Sequence, residues 1–356
     1  MPNESSASST AWSYELTVLG GGSFGTVLAN IAAGNGHRTL QWLRDEKVAR
    51  TINEQHCNEH YLPGCQLDAS LHATTRLEDA VRSSPVILIS VPSSALSGLM
   101  ERIAPLLQPQ HMLVTTVKGI IADGFRLPSQ VIEAYCDNPV AVLSGPNLAK
   151  EIARKTLTAT VIASRDSKVT AKVQELLAND YFRVYAGIDV YGVELGGALK
   201  NVYAIIAGLS AQLGMGENTR SMLITRALAE MSRFAVRLGA DPMTFIGLSG
   251  VGDLIVTCTS PLSRNYRVGQ ALGQGLTLEE AAGRLGEVAE GINTLKLVKF
   301  KADELGVYMP LVQGLYAVVF EGLSIDQAIK ILMQSQQRSD VEFQFSDTQI
   351  EGVAHE

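Results

Sequence analysis

Along the first half of the chain, short apolar runs alternate with segments in which apolar positions recur every three or four residues. Tyr14–Gly20, Arg38–Leu43, Pro85–Pro92, Met112–Val117 and Val140–Leu143 are the runs that predict strands. The third of them, Pro85-Val-Ile-Leu-Ile-Ser-Val-Pro92, is nearly all apolar, as a strand covered on both faces must be. Between the first two, Phe24–Asn35 reads as a small-residue helix closed by Gly34 and Gly36, and Arg44-Asp45 opens another helix. Thr160–Ser164 and Phe182–Tyr185 are expected to finish the same sheet. Strands alternating with helices predict an α/β domain: a parallel sheet with helices on both sides.

After about Ile188 the pattern changes. Val190–Gly214 is a long apolar and small-residue helix, Thr219–Leu238 a second, and Leu278–Arg284 and Asp326–Gln334 also carry helical spacing. No later stretch reads as a strand. The expected organisation is a tail at 1–13, an α/β domain at 14–188, an all-α domain at 189–345 and a frayed tail at 346–356.

Composition narrows the class. The 356 residues suffice for two domains, and 46% apolar with 18% charged residues describes a folded, soluble chain. A formal net charge of -7 argues against a broad surface for nucleic acid or anionic lipid, while leaving room for a local basic pocket. The four cysteines, Cys57, Cys65, Cys136 and Cys258, show neither C-x-x-C spacing nor nearby histidine pairs, so no metal site or disulfide framework is expected. Met1–Thr10 has no basic start and no apolar stretch, and no apolar run approaches the roughly 20 residues that span a bilayer. A cytoplasmic protein is expected.

Gly20-Gly21-Gly22-Ser23-Phe24-Gly25 fits G-x-G-x-x-G. Alone the match is weak in a chain with 32 glycines, but it ends the first strand and opens the first helix, where a dinucleotide diphosphate needs it. Gly20 permits the tight turn, Gly22 lets backbone approach the phosphates, and Gly25 allows close helix–strand contact. The helix start adds free N–H donors and a partial positive charge. This context makes the first domain Rossmann-type. The residue closing the second strand reads the ribose: an acid there serves NAD, an arginine NADP. Here Arg44 precedes Asp45, which favours NADP and leaves NAD open.

Three further features are expected beyond the carboxyl ends of the strands. Lys118 follows a strand in Val117-Lys-Gly119. Ser144-Gly145-Pro-Asn147-Leu-Ala149-Lys-Glu151 is a strand–turn–helix junction whose N–H groups could hold an anion. Glu194-Leu-Gly-Gly-Ala-Leu-Lys200-Asn201 sets a lysine in an otherwise apolar helix, on a face shared with Gly197 and Ala204. A lysine can exchange the alcohol proton if burial or a second cation, for which Lys118 is a candidate, lowers its pKa toward ~7–8. Gly250-Val-Gly-Asp253 adds a carboxylate on a glycine-rich turn. Thr257, Ser260, Ser263, Arg264 and Asn265 cluster the donors that a phosphate dianion requires. Singly, each has a plain structural alternative: Asp253 as a helix cap, Ser263 as a turn residue, Arg264 as a surface charge.

With these segments, joined by Thr257-Cys-Thr259 and Val288-Ala-Glu290-Gly291, the sequence resembles the bacterial-type NAD(P)-dependent glycerol-3-phosphate dehydrogenases from Leu19 to about Leu332. The resemblance implies conversion between dihydroxyacetone phosphate and sn-glycerol 3-phosphate in a cytoplasmic, often dimeric enzyme that feeds phospholipid synthesis. It implies that Lys200 exchanges the proton; Lys118 and Asn201, as cation and amide donors, are expected to support the developing alkoxide. Lys118, Gly145, Asn147, Asp253, Ser263, Arg264 and Asn265 match positions that contact glycerol phosphate. Ser23, Phe24, Arg44, Lys118, Ala149, Arg264, Val288 and Glu290 match cofactor contacts. Asn147 departs mildly, since relatives often carry Thr or Ser there. The nearest rival is a hydroxyacid or ketopantoate-type reductase of the same plan, which also places a lysine on the second-domain helix. A non-catalytic NAD(P) sensor is the rival of another class, with no reason to keep two lysines and an aspartate together.

Overall fold

The computed structural model describes residues 12–121, 124–285 and 290–334. The tails expected at 1–13 and 346–356, apart from Trp12 and Ser13, lie outside the described residues, and so does Val288. The chain divides into two compact units, one ending at Val190 and the other beginning at Tyr191.

In the first unit, β1 (Leu16–Leu19), β2 (Thr39–Trp42), β3 (His72–Thr74), β4 (Val86–Ile89), β5 (Met112–Thr115), β6 (Val140–Ser144), β7 (Thr158–Ser164) and β8 (Phe182–Gly187) form one sheet. Its order is β3-β2-β1-β4-β5-β6-β7-β8. The helices between them are α1 (Ser23–Gly34), α2 (Glu46–Gln55), α3 (Leu77–Arg82), α4 (Leu96–Ile103), α5 (Pro128–Glu133), α6 (Ala149–Ala153) and α7 (Ser167–Leu177). Strand order reverses between β1 and β4, the switch point at which open α/β sheets bind nucleotides.

Alternate residues of each central strand enter different cores. Val86 and Leu88 pack with Val27, Leu28, Ile31 and Val173 on one face, and Ile87 and Ile89 pack with Leu96, Met100, Ile103 and Val131 on the other. Burial on both faces is why the run around Ile87 carries no polar alternation.

The expectation of a parallel sheet holds except at one seam. β7 runs antiparallel to β6, with Ala141 opposite Ser164 and Ser144 opposite Val161. After the eleven-residue α7, β8 returns parallel to β7. The edge strand β3 leaves no mark in the sequence: its three residues, exposed, buried and intermediate in turn, are too few to show a periodicity.

The second unit is helical throughout its described residues: α8 (Val190–Gln212), α9 (Gly216–Arg237), α10 (Asp253–Thr259), α11 (Arg264–Gly273), α12 (Leu278–Leu285), α13 (Glu290–Leu305), α14 (Pro310–Phe320) and α15 (Ile325–Gln334). From Gly192 to Ser210 nearly every residue of α8 is buried, as in a helix covered on all sides. The nearest approach is to α11, where a Cβ on Gly208 would lie 1.9 Å from the Tyr266 carbonyl oxygen and one on Gly269 1.9 Å from that of Ile205. Only glycine permits this crossing.

Candidate active site

In the first unit the glycine-rich turn links β1 to α1. Gly20 has φ +139°, and a Cβ there would sit 2.1 Å from the Ser90 carbonyl oxygen. A Cβ on Gly25 would lie 2.8 Å from the Gly20 oxygen and 3.1 Å from Ser90 Cβ, so this glycine seats α1 against the strand ends. At Gly22 nothing lies within 4 Å of the Cβ position, which leaves the backbone open to a ligand. Gly22 is also the N-cap of α1, with no side-chain cap and no acidic residue in the first turn. A twelve-residue helix presents the free N–H groups of its first turn and its positive dipole end at this point. The turn fits a dinucleotide diphosphate by shape and by charge.

Ser23 Oγ donates to the Tyr61 carbonyl oxygen at 2.7 Å, and the half-buried Phe24 packs against the core. At the ribose-reading position β2 closes at Trp42, so Arg44 lies two residues past the strand and is exposed. Asp45 is the N-cap of α2, its carboxylate accepting from the N–H groups of Lys47 (2.8 Å) and Val48 (3.3 Å).

Lys118, half-buried three residues past β5, donates from Nζ to the Gly145 carbonyl oxygen at 3.2 Å. Gly145 itself has φ +150°, and a Cβ there would stand 3.2 Å from Thr160 Cα. Asn147 Nδ2 donates to Thr160 Oγ1 (2.8 Å), which donates to the Ser144 carbonyl oxygen (2.9 Å). Asn147 Oδ1 and Ser144 Oγ are buried without a hydrogen-bond partner among the described residues. Unpaired buried polar atoms cost free energy unless a ligand or water meets them. α6, which follows this turn, has five residues and so a small dipole, and Ala149, its first residue, packs partly against the core.

In the second unit Lys200, 6% exposed, pairs through Nζ with Oδ1 of Asp253, which is fully buried. Lys200 also donates to Thr257 Oγ1 at 2.9 Å. Thr257 lies one turn beyond Asp253 on α10 and donates back to the Asp253 carbonyl oxygen at 2.6 Å, so aspartate and threonine reach the lysine from one helix face. The glycine-rich segment before Asp253 is a π-helical turn, Leu248–Gly252, rather than an open loop. A Cβ on Gly196 would lie 2.5 Å from the Ser249 carbonyl oxygen, and one on Gly250 2.2 Å from that of Phe245. These two glycines bring the turn onto α8 and deliver the carboxylate to the lysine. The close approach is thus made at Gly196, one residue before the Gly197 that shares the face of Lys200.

The donors clustered in sequence from Thr257 to Asn265 take different local partners. Thr257 turns inward to Lys200, and Ser263 caps α11 by accepting from the Tyr266 N–H at 3.3 Å. Asn265, buried, accepts at Oδ1 from the Gly291 N–H at 3.1 Å, next to Glu290 at the start of α13. Arg264, at the first position of α11, is exposed, and Asn201 is buried beside Lys200 on α8. Burial pushes the Cys258 thiol up to about 12, so this neighbour of the pair is inert as a nucleophile.

Sequence reasoning gave no role to Glu230 on α9. Its carboxylate accepts from the N–H groups of Leu311 (2.8 Å) and Val312 (3.4 Å) at the start of α14 and from the Tyr203 hydroxyl (3.2 Å). Burial outweighs those bonds and raises its pKa from 4.5 to about 7. A carboxylate in mid-helix carries no sequence mark of this. Away from these sites, Glu15, His37 and Glu175 bring three possible metal-ligating atoms within 4.8 Å, but His37 already bonds Glu15 and Lys172 pairs with Glu175.

Residues 15–170 match the family model described as NAD-dependent glycerol-3-phosphate dehydrogenase N-terminus, and residues 189–330 match the corresponding C-terminus. The glycerol-3-phosphate dehydrogenase [NAD(P)+] of Azotobacter vinelandii is 58% identical over 329 residues, 92% of this chain and 96% of that protein. The protein of the same name from Pseudomonas aeruginosa is 54% identical over the same shares. Among solved structures, glycerol-3-phosphate dehydrogenase from Coxiella burnetii aligns with a TM-score of 0.85 at 35% identity, covering 90% of this chain and 99% of that one. A ketopantoate reductase from Ralstonia eutropha, at 14% identity and TM-score 0.53, shares the fold alone. The chain belongs to the NAD-dependent glycerol-3-phosphate dehydrogenase family.

Proposed function

We propose that this chain is an NAD(P)-dependent oxidoreductase that interconverts dihydroxyacetone phosphate and sn-glycerol 3-phosphate, with Lys200 handling the proton. The buried Lys200–Asp253–Thr257 constellation carries this reading. A lysine at the heart of an apolar helix is costly unless it serves chemistry, and it is held by two groups whose placement needs Gly196 and Gly250.

The reduced nicotinamide, when bound, supplies the two electrons and the hydrogen that reach C2 of the ketone. The glycine turn and the start of α1 hold the diphosphate, and Arg44 reads the ribose. With Asp45 committed to capping α2, Arg44 is the group open to a 2′-phosphate, which supports NADP as the favoured cofactor over NAD. Lys200 holds a proton on Nζ, polarises the C2 carbonyl and delivers that proton to its oxygen. Asp253 and Thr257 fix the ammonium in place, and Lys118 and Asn201 stabilise charge developing on the oxygen. In the second unit Arg264, Ser263 and Asn265 supply donors for the substrate phosphate, and in the first Lys118, Gly145 and Asn147 match substrate contacts. In the reverse direction Lys200 takes the hydroxyl proton.

A cytoplasmic homodimer that supplies glycerol 3-phosphate for phospholipid synthesis is the setting proposed for this activity. No helix among the described residues is long and apolar enough to cross a membrane. The test follows absorbance at 340 nm with purified protein, dihydroxyacetone phosphate and either NADPH or NADH. Oxidation of the nucleotide supports the reading. Folded protein that binds NADPH and turns over no phosphorylated triose would refute it.

A further inference from the structure

Beneath the glycine-rich turn lies a buried polar cluster that neither the motif nor the reaction accounts for. Gln41 sits on β2, fully buried in a strand that is otherwise apolar apart from Thr39. Asn58, 1% exposed, lies beyond the end of α2. Thr26, fully buried on the first turn of α1, stands between them. Gln41 Nε2 donates to the Gly20 carbonyl oxygen at 2.8 Å and to Thr26 Oγ1 at 2.9 Å. Asn58 Nδ2 donates to the Gly21 carbonyl oxygen at 3.1 Å and to the same Thr26 oxygen at 3.0 Å. The threonine hydroxyl, with two lone pairs, accepts from both amides and turns its own hydrogen toward the Gly21 oxygen, 3.4 Å away.

We propose that Gln41 and Asn58, locked together through Thr26, are positioning residues that orient the two peptide planes of the diphosphate-binding turn. In a trans peptide the carbonyl and the following N–H point in opposite directions, and the described chain has no cis bond. Drawing the Gly20 oxygen inward therefore turns the Gly21 N–H outward, and drawing the Gly21 oxygen inward does the same for the Gly22 N–H. Gly20's own N–H is taken by the Trp42 carbonyl at 2.9 Å, which anchors the near end of the turn to β2. Gly22 starts α1 with open space over its Cα. The two outward N–H groups and the helix start then form one concave donor set, preorganised before the anion arrives.

Glycine alone does not fix this arrangement. Successive glycines have the widest backbone freedom of any residue, and a turn left to itself would spend much of its time with a carbonyl facing the phosphates. The side-chain amides remove that option, since flipping either plane would break a buried hydrogen bond and strand its partners.

The inference rests on the proposed role of the turn as the diphosphate site, and the experiment separates the two. Displacement of NADPH fluorescence by adenosine 5′-diphosphate and by adenosine is measured for the wild type, Asn58→Leu, Thr26→Val and Thr26→Ser, with thermal unfolding of each. The expected result is a loss of about tenfold in diphosphate affinity for Asn58→Leu and Thr26→Val, with adenosine affinity unchanged. Thr26→Ser, which keeps the hydroxyl, restores wild-type affinity. If Asn58→Leu does not fold, the threonine pair decides the matter. Wild-type diphosphate affinity in Thr26→Val overturns the inference and leaves the nucleotide site standing, and so does an equal loss for adenosine. A wild type that binds neither NADPH nor adenosine 5′-diphosphate overturns the nucleotide site and this inference with it.

Discussion

Replacing Lys200 by methionine removes an ammonium while keeping most of the side chain's length, and what it leaves behind sets the size of the effect. Asp253 is fully buried and its Oδ1 loses the cation facing it. Thr257 Oγ1 loses a donor as well. Breaking a buried pair from one side costs about 3–5 kcal/mol, because a carboxylate stays in a low-dielectric interior without its partner. For a unit of this size that lowers Tm by on the order of 10 °C. Adding Asp253→Asn removes the stranded charge, so the double variant recovers most of the loss. Activity follows a different course. Loss of the proton donor lowers kcat by about 10²–10⁴-fold, and the second substitution restores none of it. Circular dichroism melts and the absorbance assay on the wild type, Lys200→Met, Asp253→Asn and the double variant separate the two effects. Near-normal turnover in Lys200→Met would refute the assignment of the proton to this residue. A double variant no more stable than Lys200→Met would refute the claim that a stranded carboxylate causes the instability.

Arg44→Ala is expected to lower kcat/KM for NADPH by about 10- to 100-fold, the worth of one or two charge-assisted hydrogen bonds, and to leave that for NADH nearly unchanged; equal losses with both nucleotides would remove Arg44 from the ribose. Glu230 makes stability depend on pH. Its folded pKa of about 7 lies above the ordinary glutamate value of 4.5, so the folded state holds the proton more tightly, and the associated stability is fully present below about 4.5 and lost as pH rises to about 7. This is worth roughly 3 kcal/mol across that interval. Glu230→Gln, which keeps an acceptor for the Leu311 N–H, should flatten the dependence in urea melts between pH 5 and pH 8, and an unchanged slope would assign it to other groups.

Local pattern determined much of this molecule. The double-sided burial of Val86–Ile89, the glycine-rich turn between β1 and α1, and the change to helices after Ile188 all follow from residues adjacent in sequence, and so they could be read there. Lys200 stood out because a charge within an apolar helix is conspicuous without any partner in view. Its partner was another matter. Asp253 lies 53 residues away, and only the π-helical turn seated against Gly196 decides that the carboxylate meets the lysine. Thr257 is one helical turn from Asp253, a spacing visible in the sequence, yet which way that face turns is a property of packing. Likewise β7 pairs antiparallel with β6, and no residue pattern beside that seam marks the direction in the sequence. Gln41 and Asn58 are 17 positions apart, each unremarkable alone, and meet at Thr26 only once β2, α1 and the segment after α2 are assembled. Propensity, periodicity and turn chemistry act over a few residues and are written in order along the chain. Buried ion pairs and hydrogen-bond networks join distant segments, and only the tertiary fold sets which of many polar side chains come within 3 Å of one another.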